Sequence, residues 1–288
     1  MSLHFHNRTW IQLQWQEPAP SLKERLRVLH TVIGVIQETL AFMSKRWRVI
    51  LPVSEGLAAR IRPQIAAPQR IQILPNLLDE TRFHSGVRSL HRAAMRQQIH
   101  AGETDFLFIF VSTGHYQRKG LWSALRSLQA CRKRAEKECG LHLRFLVVGA
   151  GDRAQQNLIP QLNQTAPDWR DWVSLIPPTS EVERWYAAAD AFLFPSLYET
   201  FSLVALEAAA CGLPLLVTAY DGHEMYLRDG GNGCLLPWTV AGMTQRIMEF
   251  LQVDRHHLKA GPDRFVHASG YADVLDQTYE SVIRERML

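Results

Sequence analysis

No run of eighteen apolar residues interrupts this chain of 288 residues, so a membrane-spanning helix is not expected. The first residues also lack the basic, apolar and small-residue succession of a secretory leader, and a cytoplasmic location is the expectation. The four cysteines, Cys131, Cys139, Cys211 and Cys234, form no C-x-x-C pair and are expected as reduced thiols rather than metal ligands. His4/His6 and His256/His257 have no neighbouring Cys or carboxylate cluster to complete a coordination shell and read as surface histidines. A D-x-D pair of the kind that holds a divalent ion on a diphosphate is missing too, so neither a metal nor another cofactor is expected. Aromatic residues do not interleave with the basic ones as a stacking platform requires, which argues against a nucleic-acid partner.

What remains is an ordinary globular composition, 47% hydrophobic and 21% charged, enough for one large or two smaller domains. The net charge of +4 conceals an asymmetry: residues 1–100 hold 14 Lys/Arg against 6 Asp/Glu, the remainder 18 against 22. A basic N-terminal portion can face anionic lipid headgroups, as a peripheral contact at the inner face of a membrane, or a phosphorylated acceptor. Read blandly, it is a solvated face with spare arginines.

Thr9–Trp15 reads as a strand, and Ser21 can cap a long helix over Leu22–Met43. Leu22, Leu26, Leu29, Val32, Ile33, Ile36 and Leu40 form one stripe on it, expected to pack in a core. Strands follow at Val49–Val53 and Ile71–Leu74 with a helix from about Ser54 between them, and Asp79–Gly102 reads as a mostly helical link. From residue 105 the pattern is regular: strands at Phe106–Val111, Leu143–Val148, Val173–Ile176, Ala191–Phe194, Pro214–Val217 and Cys234–Leu236, with helices between. Alternation of this kind makes a doubly wound parallel sheet, an α/β fold whose ligand crevice lies at the carboxyl ends of the strands. Gly114, Lys119, Gly149, Gly151, Pro177 and Glu199 fall just after predicted strands and so collect at one rim.

The chemistry centres on AFLFPSLYETFSLVALEAAACGLPLLVT, Ala191–Thr218. A helix from about Phe201 to Cys211 presents the N–H groups of Phe201, Ser202 and Leu203 at its N-terminus, where dipole and donors favour a phosphate. Glu199 and Glu207 can each accept hydrogen bonds from vicinal hydroxyls, Glu207 from a ribose and Glu199 from a hexose. Taken singly, Glu199 is a helix-start acid and Glu207 a solvated helix residue; together they point to a phosphorylated sugar. Lys119, beside Arg118, can neutralise a departing pyrophosphate. Gly149–Ala154 fits G-x-G-x-x-A and by itself suggests a dinucleotide enzyme, but the next strand ends in Ile176-Pro177-Pro178 with no acid for a nicotinamide ribose.

Glu199-x7-Glu207 resembles the donor-site motif of retaining glycosyltransferases of the GT-B fold, the group 1 (family 4) enzymes. Val53–Ile61 (VSEGLAARI), Ile73–Phe83 (ILPNLLDETRF) and Ser112–Leu121 (STGHYQRKGL) fit the same family in order, and the RKG spacing is most similar to the lipopolysaccharide-core glucosyltransferase type. The resemblance implies a GT-B chain with a partial N-terminal, acceptor-side domain at 1–104, a nucleotide-sugar domain at 105–265 and a helix at 266–288, read over Tyr271–Arg286, that crosses back. It also implies a retaining transfer of sugar from a nucleotide sugar to a glycan or lipid-linked acceptor in cell-envelope polysaccharide biosynthesis, without a metal. Lys119, Glu199 and Arg118 would be catalytic, with His115 near the place where the family has a second cation. Glu207, Phe201, Ser202, Leu203, Gly114, Gly149, Gly151 and Pro177 would bind the donor. Only three strands precede residue 105, and Gln14, Trp15 and Gln16 stand where a donor-contacting histidine is usual. A shortened N-terminal domain is therefore expected to self-associate, or to need a partner chain, through residues 1–104. A non-catalytic nucleotide-sugar-binding subunit and a nicotinamide oxidoreductase are the competing readings.

Overall fold

A computed structural model describes residues 2–3, 22–44, 49–253 and 280 of the chain. They divide into two units, one of Met1–Leu77, Tyr198–Phe201 and Val266–Leu288, the other of Leu78–Leu197 and Ser202–Phe265. In the first, β1 (Ser2–Leu3) precedes α1 (Leu22–Met43) and pairs in parallel with β2 (Leu51–Pro52), Ser2 opposite Leu51 and Leu3 opposite Pro52. Ser54 adopts an extended backbone and caps α2 (Glu55–Ile61): its Oγ accepts from the Leu57 amide at 3.2 Å and donates to the Thr200 carbonyl at 2.8 Å. Leu57, Ala58 and Ile61 bury the inner face of that short helix.

Two expectations for this unit change. Ile71–Leu74 pairs with the β2 segment through Gln72 N to Ile50 O (3.0 Å) and Leu74 N to Pro52 O (2.9 Å), but forms only a single bridge, Ile50 to Ile71, between the turn at Pro68–Arg70 and Pro75. Of the expected α1 stripe, Ile33, Ile36 and Leu40 are 49–64% exposed and Val32 is half-buried, so this part of it does not pack as a core. Among residues 31–44 the buried ones are Thr31, Glu38 and Phe42, on a different stripe, because this part of α1 meets its unit on that face. The expected strand at 9–15 and the expected helix at 271–286 lie outside the described residues, apart from helical Glu280.

The second unit opens with α3 (Val87–Gln98) and continues as β3 (Asp105–Val111), α4 (Leu121–Cys139), β4 (His142–Val148), α5 (Asp152–Thr165), β5 (Val173–Ile176), α6 (Val182–Ala188), β6 (Ala191–Phe194), α7 (Leu203–Ala210), β7 (Leu215–Thr218), β8 (Gly233–Leu236) and α8 (Val240–Gln252). Every strand pairing in its sheet is parallel, in the order β5-β4-β3-β6-β7-β8. The strands are nearly continuous apolar runs, as a sheet covered on both faces demands; Phe106, Phe108, Phe110, Phe145, Phe192 and Phe194 are at most 3% exposed. Helices end where the sequence supplies a stop, as at Gly140, left-handed at φ 64°, whose amide bonds Glu136 O at 3.1 Å.

Residues 78–104 join this unit through arginines spaced four apart on α3. Arg92 donates to the carbonyls of Ala187, Ala188 and Ala189 and, with Arg96, pairs with Asp190; Arg88 donates to Ala189 O at 2.8 Å. These guanidiniums satisfy the last carbonyls of α6, where a helix leaves acceptors open and favours cations. Asp190 accepts in turn from the Leu107 amide at 2.8 Å, tying α3, α6 and β3 together.

Candidate functional site

In this strand order the direction of winding reverses between β3 and β6, and a crevice opens outside their carboxyl ends. The loops that follow these two strands are stitched together. Leu197 N donates to Arg118 O at 2.8 Å and Ser196 Oγ reaches the same oxygen at 3.4 Å. Gly120 sits at φ 81°, and a Cβ there would run into the Pro195 carbonyl. This is why RKG must end in glycine: the β3 loop passes hard against the β6 loop. Lys119 is held within it, its amide on His115 O at 2.9 Å and its Nζ 5.2 Å from the centroid of the buried Phe194 ring, a cation–π distance. His115 takes φ 53°, the left-handed region that a residue other than glycine rarely enters.

Beside this loop lies a groove of about 460 Å³ at the ends of β3 and β4, lined by Gly114, His115, Gly149 and Gly151 among others. Gly149, at φ 101°, backs onto the Ser112 carbonyl where a Cβ would collide, and Tyr116 Oη donates to Gly149 O at 3.0 Å. Gly151 faces the Pro178 ring at 3.4 Å. Pro178 lines the groove, and the expected Pro177, exposed as Pro178 is, lies next to it in the chain. Arg153 and Asn157 also line it. Sequence reasoning passed over both, although Arg153 lies inside the glycine-rich motif already singled out.

The dinucleotide reading fails on geometry. Gly149 N and Ala150 N both donate to Ile176 O at 2.9 Å, so two amides that would hold a pyrophosphate are committed to β5. The motif also follows β4, one strand away from the point where the winding reverses.

The helix carrying Glu207 starts at Leu203, two residues later than expected, because Ser202 caps it: Ser202 Oγ accepts from Ala205 N at 3.4 Å. The Ser202 amide, expected to be open to a phosphate, instead donates to Tyr226 Oη at 3.4 Å, and Tyr226 Oη donates to Tyr220 Oη at 3.1 Å. Leu203 opens α7 with an exposed side chain. Phe201 is buried and, with Glu199, belongs to the Tyr198–Phe201 segment of the first unit, whereas Lys119, Arg118 and Glu207 are in the second.

Glu207 is half-buried, and its Oε2 accepts from Tyr186 Oη at 3.1 Å. Burial pushes its carboxyl up to about 7, while Tyr186 and the Arg82 guanidinium pull it down. Arg82 itself pairs with Glu183 at 2.7 Å. Burial and the Glu207 carboxylate hold the Tyr186 phenol well above its ordinary range. Cys131, Cys211 and Cys234 are buried thiols pushed up to about 12, as befits inert core residues.

Known proteins resemble this chain in sequence and in fold. D-inositol 3-phosphate glycosyltransferase of Geodermatophilus obscurus is 30% identical over 217 residues, 73% of this chain and 46% of the relative. The chain spans about half the length of the curated relatives it matches. Among solved structures, WaaG, a glycosyltransferase involved in lipopolysaccharide biosynthesis, superposes with a TM-score of 0.65 at 23% identity, over 85% of this chain and 64% of WaaG. Anabaena Alr3699/HepE, in complex with UDP and glucose, gives 0.63 at 17% identity, over 82% and 62% of the two chains. These likenesses establish the fold, that of GT-B glycosyltransferases, with one Rossmann-like domain evident. A sequence model described as "Glycosyl transferases group 1" matches residues 105–253, more than half of the chain and all six strands of its parallel sheet. On that match, this chain belongs to the group 1 glycosyltransferases.

Proposed function

We propose that this chain binds a nucleotide sugar at the β3/β6 crevice and transfers its sugar, with retention of configuration and without a metal, to a glycan or lipid-linked acceptor of the cell envelope. The observation that carries this reading is the placement of Lys119: a cation fixed where the sheet reverses its winding, beside a glycine-lined groove, suits a diphosphate whose charge it offsets as the bond to the sugar breaks. Arg118 supplies a second charge. Glu207 takes the ribose hydroxyls, and Glu199 those of the transferred sugar. Gly114, His115, Gly149, Gly151 and Pro178 border the nucleoside. HepE is described in complex with UDP and with UDP-glucose, and WaaG as acting in lipopolysaccharide biosynthesis, which supports the donor and acceptor classes.

A second reading is a nucleotide-sugar-binding subunit that acts with another polypeptide. The expected self-association or partner chain through residues 1–104 belongs to it.

Calorimetry with UDP, GDP and ADP tests the site. Lys119→Ala and Glu207→Ala should each weaken the preferred diphosphate by about 1.5–3 kcal/mol, the worth of hydrogen bonds to a charged group, and EDTA should leave affinity unchanged. Undiminished binding by both folded variants, or a large EDTA loss that magnesium restores, would refute the reading.

A further inference from the structure

We propose that Tyr186 is the positioning residue of Glu207. Its single hydroxyl proton turns to the carboxylate when Glu207 is ionised, fixing it for the donor's ribose, and to the Val204 carbonyl when Glu207 is protonated. The inference rests on the assignment of Glu207 to the ribose.

Tyr186 Oη lies 3.1 Å from Val204 O and 3.1 Å from Glu207 Oε2. A phenol has one proton, so it cannot donate fully to both acceptors. When the Glu207 carboxyl takes a proton from solvent, its own O–H donates to Tyr186 Oη, and the tyrosine proton swings to Val204 O. No proton leaves the tyrosine. When the carboxyl ionises, the proton swings back. Val204 O is not orphaned by this, because it lies in the first turn of α7 and also accepts the helix's own bond.

The ring leaves no other freedom. Tyr186 is 0% exposed and stands edge-on between Phe83 and Phe192, each 6.3 Å away between centroids and inclined at 64° and 67°. Phe83 is steadied by the Arg82 guanidinium 5.0 Å from its centroid, and Arg82 by Glu183 and the Ser180 carbonyl. Hence only rotation about the phenolic C–O bond is available, and the hydroxyl stays within reach of Glu207 in both states.

The charged and titratable groups around Glu207 come from three directions. Glu183 and Tyr186 face it from α6, Arg82 from the segment before α3, and the Cys211 thiol, neutral because burial holds it high, from the end of α7. Arg88 and His84 act on Cys211 rather than on Glu207 directly. With burial pushing the carboxyl up to about 7, the exchange of acceptors falls in the neutral range.

The test compares nucleoside diphosphates with their 2′-deoxy forms, using UDP, GDP and ADP and following whichever base binds. In the wild-type chain the preference for the ribose form should grow as pH rises through about 7. Tyr186→Phe should cut that preference about tenfold at the alkaline end, the loss of one charge-assisted hydrogen bond, and move its rise to higher pH. Affinity for the deoxy form should hold within about twofold, well below that tenfold loss. Incorporating 3-fluorotyrosine at position 186, a stronger donor with the ring kept, should move the rise to lower pH, and it serves even if the phenylalanine variant does not fold. An unmoved pH profile in these chains, while Glu207→Gln abolishes the ribose preference, overturns the role of Tyr186 alone. If Glu207→Gln leaves the preference intact, or no diphosphate binds, the site assignment fails and this inference with it.

Discussion

Replacing Asp190 by alanine removes the carboxylate on which Arg92, Arg96 and the Leu107 amide converge. The side chains of Asp190 and Arg96 are 15% and 12% exposed, so water cannot fully replace the lost partner, although Arg96 keeps the carbonyls of Ala188, Gly102 and Asp105, and Arg92, at 31% exposure, those of Ala187, Ala188 and Ala189. Breaking a buried pair from one side costs about 3–5 kcal/mol, and the carbonyls left to both arginines put the expected loss at the lower end, about 3 kcal/mol. Asp190→Asn, which keeps an oxygen for Leu107 N, should lose about half of that. With a urea slope of about 2–3 kcal/mol/M, Asp190→Ala lowers the midpoint of unfolding by about 1 M. The same clamp predicts that residues 78–253 outlast residues 105–253 in urea, since the shorter piece lacks both arginines. A midpoint that moves by less than about 0.3 M in Asp190→Ala would mean the arginines are satisfied by carbonyls and water alone.

Glu207→Gln should stabilise the chain above neutrality. A carboxyl raised in the fold to about 7 contributes stability that is full below its unfolded value of 4.5 and lost as pH rises through 7. Discounted for partial exposure, the neutral amide should therefore gain about 1–2 kcal/mol over wild type at alkaline pH and nothing in acid, read as a melting-temperature difference that appears only above neutrality. Gly120→Ala, placed at φ 81° against the Pro195 carbonyl, should cost about 2 kcal/mol or more in denaturant melts; a neutral result would show that the two loops can part.

The strands of the second unit were legible because burial on both faces writes them as apolar runs: Val173–Ile176 and Ala191–Phe194 stand where the sequence puts them. The others shift by one residue, at Asp105, His142 and Gly233, where a polar or glycine end carries no hydrophobic signal, and at Leu215–Thr218. The helix at Leu203 begins late because the cap outweighs the apolar run before it. Tyr186 was not legible as a site residue. A Trp-Tyr pair in a short helix looks like core, and nothing in spacing relates it to a glutamate 21 positions on. The α3 arginines were equally hidden, since charges at four-residue intervals read as a solvated face until Asp190 is brought beneath them.

That last point changes how the basic N-terminal portion should be understood. Four of the 14 Lys/Arg among the first hundred residues are Arg82, Arg88, Arg92 and Arg96, and each donates to a carbonyl or carboxylate of the parallel-sheet unit. A guanidinium engaged in this way cannot turn outward to a phosphate or a lipid headgroup without giving up a partner, and Arg88 is buried deeply enough that desolvation lowers its pKa. The asymmetry read from the sequence therefore has a structural cause in part: much of the positive charge just ahead of the sheet closes the end of α6 and fastens residues 78–104 to the sheet. Any electrostatic attraction of this portion to an anionic surface must come from the remaining basic residues, and its dependence on salt should be correspondingly shallow.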